Sequence, residues 1–140
     1  MLFRSVQTCI RKTVESAGIK PEEITAINGH LTATMADPHE IKNWSAALGL
    51  SPEKMPWIQA TKSMIGHGLG AAGGLECVAV ALQVKHQFLH KTINCEDLHP
   101  EIEPWRSRIN YETQETSVDI IAKSSFGFGD VNGCLIFKKY

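Results

Sequence analysis

An α/β layer built on a mostly parallel sheet is the fold class this sequence predicts. Three observations predict it. Helical and extended patterns alternate along the 140 residues. Two strand-to-helix junctions carry chemistry-bearing or glycine-rich loops, as the carboxyl ends of parallel strands do. One long segment is apolar on most faces, as expected of a helix packed against a sheet or another surface.

The elements follow in order. Residues 2–17 make an amphipathic helix, with Val6, Ile10, Val14 and Ala17 on one stripe. Gly18 closes it, and Pro21 lies just beyond. A short β-leaning strand covers 24–28. A second helix covers 37–49, with Asp37 as its N-cap, Pro38 at its first helical position and Glu40 three residues after the cap. A strand at 56–60 precedes a long helix at 70–90, rich in small and apolar residues. An extended polar loop with a short turn of helix fills 90–110. Strands at 120–125 and 134–138 form an antiparallel pair around a glycine-containing turn. The chain opens on a helix where such a unit usually opens on a strand, so the expectation is a single domain over 1–140 that lacks its first strand.

Composition excludes several classes. Fourteen basic residues balance fifteen acidic ones, and 43% of residues are hydrophobic. There is no basic stripe for nucleic acid and no apolar run of membrane-spanning length. Residues 1–5 resemble no signal sequence, which favours the cytoplasm. Cys9, Cys77, Cys95 and Cys134 have wide, irregular gaps and no C-x-x-C pair, which speaks against zinc or a disulfide framework. His39, His86, His90 and His99 share no metal-ligand spacing and read as surface or loop residues. No metal and no tightly bound cofactor is expected. Trp44, Trp57 and Trp105 read as packing residues. There is no G-x-S-x-G elbow, and the glycine-rich loop lacks the P-loop spacing.

Three segments carry candidate chemistry. His30, with Thr32 and Thr34 after it, follows the first strand, where an imidazole can donate to developing negative charge. These residues serve equally well as turn and cap. Lys62 and His67 flank a short loop, and Gly66, Gly68 and Gly70 let backbone approach backbone or ligand closely or suit tight helix packing. Phe126 and Phe128 alternate with Gly127 and Gly129 in a turn that either lines an apolar pocket or plugs a hairpin. Glu76, one turn inside an apolar helix, needs a cationic partner, for which Lys62 or a histidine is suited.

Together these segments resemble the β-ketoacyl synthases, condensing enzymes of fatty-acid and polyketide assembly. The family's H-G-T-x-T is similar to His30-Leu31-Thr32-Ala33-Thr34, and its D-P-x-E to Asp37-Pro38-His39-Glu40. Its T-K-S-x-x-G-H-x-x-G-A-A-G-x-x-E is matched from Thr61 through Glu76 at every fixed position, and its S-F-G-F-G-G-x-N resembles Ser125 through Asn132. Thiolases are less similar: they carry a cysteine in the last loop and no lysine at the place of Lys62.

The resemblance implies the carboxy-terminal half of a thiolase-like fold, a mixed sheet flanked by helices. It implies an acyltransferase that condenses an acyl thioester with malonyl thioester on acyl carrier protein. His30 and His67 would donate to the enolate. Lys62 and Glu76 would hold the charge network. Thr32 and Thr34 would contact the phosphopantetheine arm of the carrier, and Phe126 and Phe128 the acyl end, with Phe128 as a gate. Leu31 stands where the family prefers glycine, and Asp130 replaces the second glycine of the last motif; if that site needs positive φ, aspartate tolerates it less well than glycine.

The nucleophile is the larger departure. The family's cysteine sits on the amino-terminal half, and none of the four cysteines here has its small-residue setting. The chain alone is therefore not expected to condense. It reads as a piece of a full synthase; as a natural subunit completed by a cysteine-bearing partner; or as a non-catalytic carrier-binding scaffold. Without that half, the apolar helix is expected to drive self-association.

Overall fold

The computed structural model describes residues 3–140. Helix α1 (Phe3–Ser16) leads to strand β1 (Ala26–Asn28), helix α2 (Asp37–Leu48) and strand β2 (Trp57–Gln59). A single-turn helix α3 (Lys62–Ile65) and helix α4 (Ala72–His86) follow, then the short strands β3 (Phe88–Leu89) and β4 (Gln114–Glu115). The last elements are β5 (Ile120–Phe126) and β6 (Asn132–Lys138). Position 2, where the sequence starts the first helix, is outside the described residues.

The main sheet runs β2-β1-β5-β6, with β1 parallel to both neighbours and β6 antiparallel to β5. The sheet is therefore mixed. β1 and β5 have neighbours on both sides, so any further strand has only the outer edges of β2 and β6 to join. At β2, Ile109 already bridges to Ile58.

Helices cover both faces. The stripe of α1 buries Val6, Ile10 and Val14 against Ile27, Ile58, Ile120 and Phe126, with Ile41, Trp44 and Leu48 of α2. Each such aliphatic side chain contributes roughly 1.5–3 kcal/mol relative to exposure. On the other face, Val80 and Val84 of α4 pack on Ala26 and Ile121. Trp44 and Trp105 join the first core, while half-buried Trp57 lies beneath the Arg108 guanidinium at 5.8 Å.

Three local expectations are corrected. The helix expected at 70–90 is shorter. A 3-10 turn at Leu69–Ala71 precedes it, and Gln87 ends it in the left-handed region at φ 59. The Gln87 side chain donates to the carbonyls of Val84 and Val118, which commits Phe88 and Leu89 to pair with β4. The polar stretch holds a nine-residue 3-10 helix, Pro100–Arg108. Asp37 is not the N-cap of α2: Ala36 takes that place, and the Asp37 carboxylate turns back to accept the Thr32 and Ala33 amides at 3.0 Å each.

Candidate active site

Parallel pairing brings the carboxyl ends of β1, β2 and β5 to one edge of the sheet. The loop of His30, the turn carrying Lys62 and His67, and the Phe128 turn leave the sheet there.

The His30 loop is held from below by α2. Buried Glu40 accepts the His30 amide at 2.7 Å, the Leu31 amide at 3.0 Å and the Ser124 hydroxyl at 2.9 Å. Its role is to clamp the loop, not to close a capping box. Gly29 makes room for this: a Cβ there would stand 2.8 Å from Leu31 Cγ and 3.1 Å from Glu40 Oε1. Leu31 turns back onto Gly29 and the α2-side core. Burial pushes the Glu40 carboxyl up to about 7, against the pull of its three hydrogen bonds, and Asp37 adds to the rise.

Unfolded, Glu40 releases its proton near 4.5; folded, it keeps it to about 7. Its contribution to stability is therefore lost as pH rises through that window. Glu40→Gln should remove this slope. The check is the difference in unfolding midpoint between the two proteins from pH 4.5 to 8, because His30 adds a slope of opposite sign.

His30 and His67 meet edge to face, ring centroids 5.4 Å apart and planes at 85°. His67 is exposed; its Nδ1 accepts the Leu69 amide at 3.0 Å, so in the neutral ring Nε2 carries the proton and can donate. His30 Nδ1 is buried and meets no partner among the described residues. Its pKa falls to about 4, first through desolvation, then through Lys62, with smaller contributions in the same direction from His67 and Lys123, and Glu76 opposing. His30 is thus a neutral imidazole near pH 7.

Beneath the histidines is a buried ionic cluster. Lys62 pairs with Glu76 Oε1, and Lys123 stands 2.6 Å from Glu76 Oε2. All three side chains are less than one-tenth exposed. Beside them, Asn28 donates to the Thr61 hydroxyl at 2.6 Å, and Thr61 pairs with His90 Nε2 at 2.9 Å. His90, read from sequence as a surface or loop residue, is buried, and desolvation lowers its pKa.

The loop between Lys62 and His67 turns at Gly66, with φ 75 and ψ −177. That region is open essentially to glycine alone. Gly66→Ala should cost about 1–3 kcal/mol from backbone strain, because a Cβ meets nothing within 4 Å. A drop in melting temperature together with a displaced His67 ring signal is the expected result.

The remaining candidates occupy different places. Thr32 and Thr34 place their hydroxyls 3.1 Å apart at the rim. Phe126 and Phe128 are separated by the structure: Phe126 continues β5 and is buried in the α1 and α2 core, whereas Phe128 is fully exposed in the turn. Phe126 therefore does not line the rim. Asp130 has φ 59, so the left-handed conformation at that position is real. A cavity of about 360 Å³ opens between Lys62, His67, Leu31 and Ile58 and the 92–95 segment, with Cys95 on its wall. Burial raises the Cys95 thiol, and Cys9, Cys77 and Cys134 are likewise free thiols. Among the described residues no cluster of three metal-binding side chains occurs, and no helix is long and apolar enough to cross a membrane.

Solved structures with a similar fold include ketosynthases. One, from module 1 of the bacillaene synthase of Bacillus amyloliquefaciens FZB42, superposes with a TM-score of 0.89 at 29% identity over 99% of this chain and 26% of its own. The ishigamide ketosynthase/chain length factor gives 0.85 at 31% identity over 96% of this chain and 32% of its own.

The Beta-ketoacyl synthase, C-terminal domain, family profile matches residues 3–96, and the chain belongs to that family. Curated relatives include the chloroplastic 3-oxoacyl-[acyl-carrier-protein] synthase I of Arabidopsis thaliana, 39% identical over 96% of this chain. 3-oxoacyl-[acyl-carrier-protein] synthase 2 of Coxiella burnetii is 37% identical over 94%. The chain spans 28% and 31% of these relatives' own lengths.

Proposed function

We propose that this chain supplies the His/His/Lys part of a 3-oxoacyl-ACP synthase, an acyltransferase that performs decarboxylative Claisen condensation. The observation that carries the reading is the edge-to-face pair of His30 and His67 above the buried Lys62–Glu76 pair. Loss of carbon dioxide from a malonyl thioester breaks a carbon–carbon bond and moves its electron pair toward the thioester oxygen. The neutral His30 ring and the Nε2–H of His67 stabilise that oxyanion as hydrogen-bond donors. The carbanion then attacks an acyl thioester, and the departing thiolate is the family's cysteine.

That cysteine comes from outside these 140 residues. None of the four here is at the histidine pair, and Cys95, on the cavity wall, is held as the thiol by burial. The substrate arrives on the phosphopantetheine arm of acyl carrier protein, with Thr32 and Thr34 at the rim to meet its amides and Phe128 free to close over the acyl end.

A cysteine-bearing amino-terminal portion of a synthase, mixed with this chain, tests the reading. Malonyl-ACP decarboxylation and condensation that require both pieces support it. An assembled pair that binds acyl-ACP but releases no carbon dioxide would falsify it and favour a carrier-binding scaffold.

Leu75, Val78 and Leu82 form an exposed stripe on α4, between 45% and 61% exposed. An apolar stripe of this kind seeks cover. Sedimentation should show self-association of the isolated chain at micromolar concentrations, abolished by Val78→Glu.

A further inference from the structure

Strand alternation takes Ile121 and Lys123 of β5 to the α4 side of the sheet. Register sets Lys123 beside Asn28, and Asn28 beside Gln59. Three polar side chains, each no more than 2% exposed, therefore cross the carboxyl ends of β5, β1 and β2. The Lys123 ammonium donates to the Ser124 carbonyl at 2.7 Å and to the Ser125 hydroxyl, and it forms an ion pair with Glu76 Oε2 at 2.6 Å, outside hydrogen-bond geometry. Two hydrogen-bond acceptors and one carboxylate thus surround its three N–H donors.

Glu76 already has Lys62 on its other oxygen. Two lysines and one glutamate leave the buried cluster with one positive charge in excess. An excess buried charge is expensive unless something of opposite sign offsets it. Glu40, the other buried carboxyl nearby, has its oxygens on the His30 and Leu31 amides and the Ser124 hydroxyl.

We propose that Lys123 is a positioning residue: it gives the cluster a net positive charge that the His30–His67 pair presents to an anionic group of the substrate. This rests on the reading above, in which the two imidazoles face a carboxylate that becomes an oxyanion. The groups around His30 are Lys62 and His67 from the loop after β2, Glu76 from α4, Lys123 from β5, and Glu40 from α2 on its backbone amide. With Lys123 present, the cations outnumber the one opposing carboxylate, and His30 stays neutral and able to donate.

The test is Lys123→Met, which leaves a neutral Lys62–Glu76 pair. NMR titration of the His30 ring should place its midpoint higher in the variant by roughly half a pH unit or more. Malonate, as an anionic probe, should shift the His30 and His67 signals of the unmodified chain and bind several-fold more weakly to the variant. Acetamide, a neutral probe, should not distinguish them. Equal midpoints with equal malonate binding would overturn the proposal. If the variant does not fold, nitrogen-detected NMR of the unmodified chain still decides: Lys123 must be a slowly exchanging ammonium at neutral pH, and a neutral amine there sinks the idea. None of these measurements needs an acyl substrate, so failure of condensation in the assembled enzyme would strike the functional reading and leave these results intact.

Discussion

The double variant Lys62→Met/Lys123→Met should lose about 3–5 kcal/mol of stability, far more than its two single variants together. Glu76 has one carboxylate and two buried ammoniums. Removing either lysine leaves a neutral ion pair and relieves the repulsion between two like charges. Removing both strands a carboxylate at 1% exposure with no cation beside it. The residue then takes up a proton or the fold opens. Denaturant unfolding of the four proteins forms a thermodynamic cycle, and neighbours on one carboxylate are where additivity fails. Additive losses would mean that the lysines do not share Glu76. A double variant as stable as wild type would mean that water reaches the carboxylate.

Most of the fold was legible because the pattern was local. Val6, Ile10 and Val14 recur at helical spacing, and all three are buried. Gly18 and Gly49 end their helices in the left-handed region, as a glycine after a periodic run suggests. What escaped was set by partners distant in sequence. Gln87 stops α4 by bonding the Val118 carbonyl thirty-one residues away. His90 is buried because Thr61 and the Lys91 carbonyl take its two ring nitrogens. No periodicity announces either contact.

The site shows the same division. His30, Lys62 and His67 were legible as residue types after strand ends and Glu76 as a carboxylate inside an apolar helix, and the structure brings them together. Lys123 was missed, although a signal existed. In Ile120-Ile121-Ala122-Lys123-Ser124 the lysine shares a face with Ile121, so strand alternation alone turns a charge inward. Asp37 and Glu40 were read as helix-terminus chemistry. Both stand in the first turn of α2, where the dipole favours carboxylates, yet both spend their oxygens on the amides of residues 30–33. A helix start and a loop clamp use the same residues, and sequence spacing does not separate them. Phe126 and Phe128 show the converse: similar in sequence, they divide between core and solvent because β5 ends between them.

In an assembled synthase, His30→Ala should lower malonyl decarboxylation by about 10²–10³-fold while leaving acyl transfer to the cysteine within a few-fold. Decarboxylation generates the oxyanion; acyl transfer to a cysteine does not pass through the same enolate. The imidazole contributes as a neutral donor, because burial and the surrounding cations hold its pKa to about 4. Its contribution should therefore be flat from pH 5 to 8, and the ratio of wild-type to His30→Ala rate should not change across that range. A ratio that falls as pH drops through 6.5 would mean the ring titrates normally and acts as a general base. His67 differs: it is exposed in this chain, and its ring is oriented by one backbone hydrogen bond from Leu69. His67→Ala should reduce the same step, whereas His67→Asn, which keeps a donor, should recover part of it. Equal loss in both would assign His67 a role beyond hydrogen-bond donation. Decarboxylation measured separately from acyl transfer, at three pH values, decides among these outcomes.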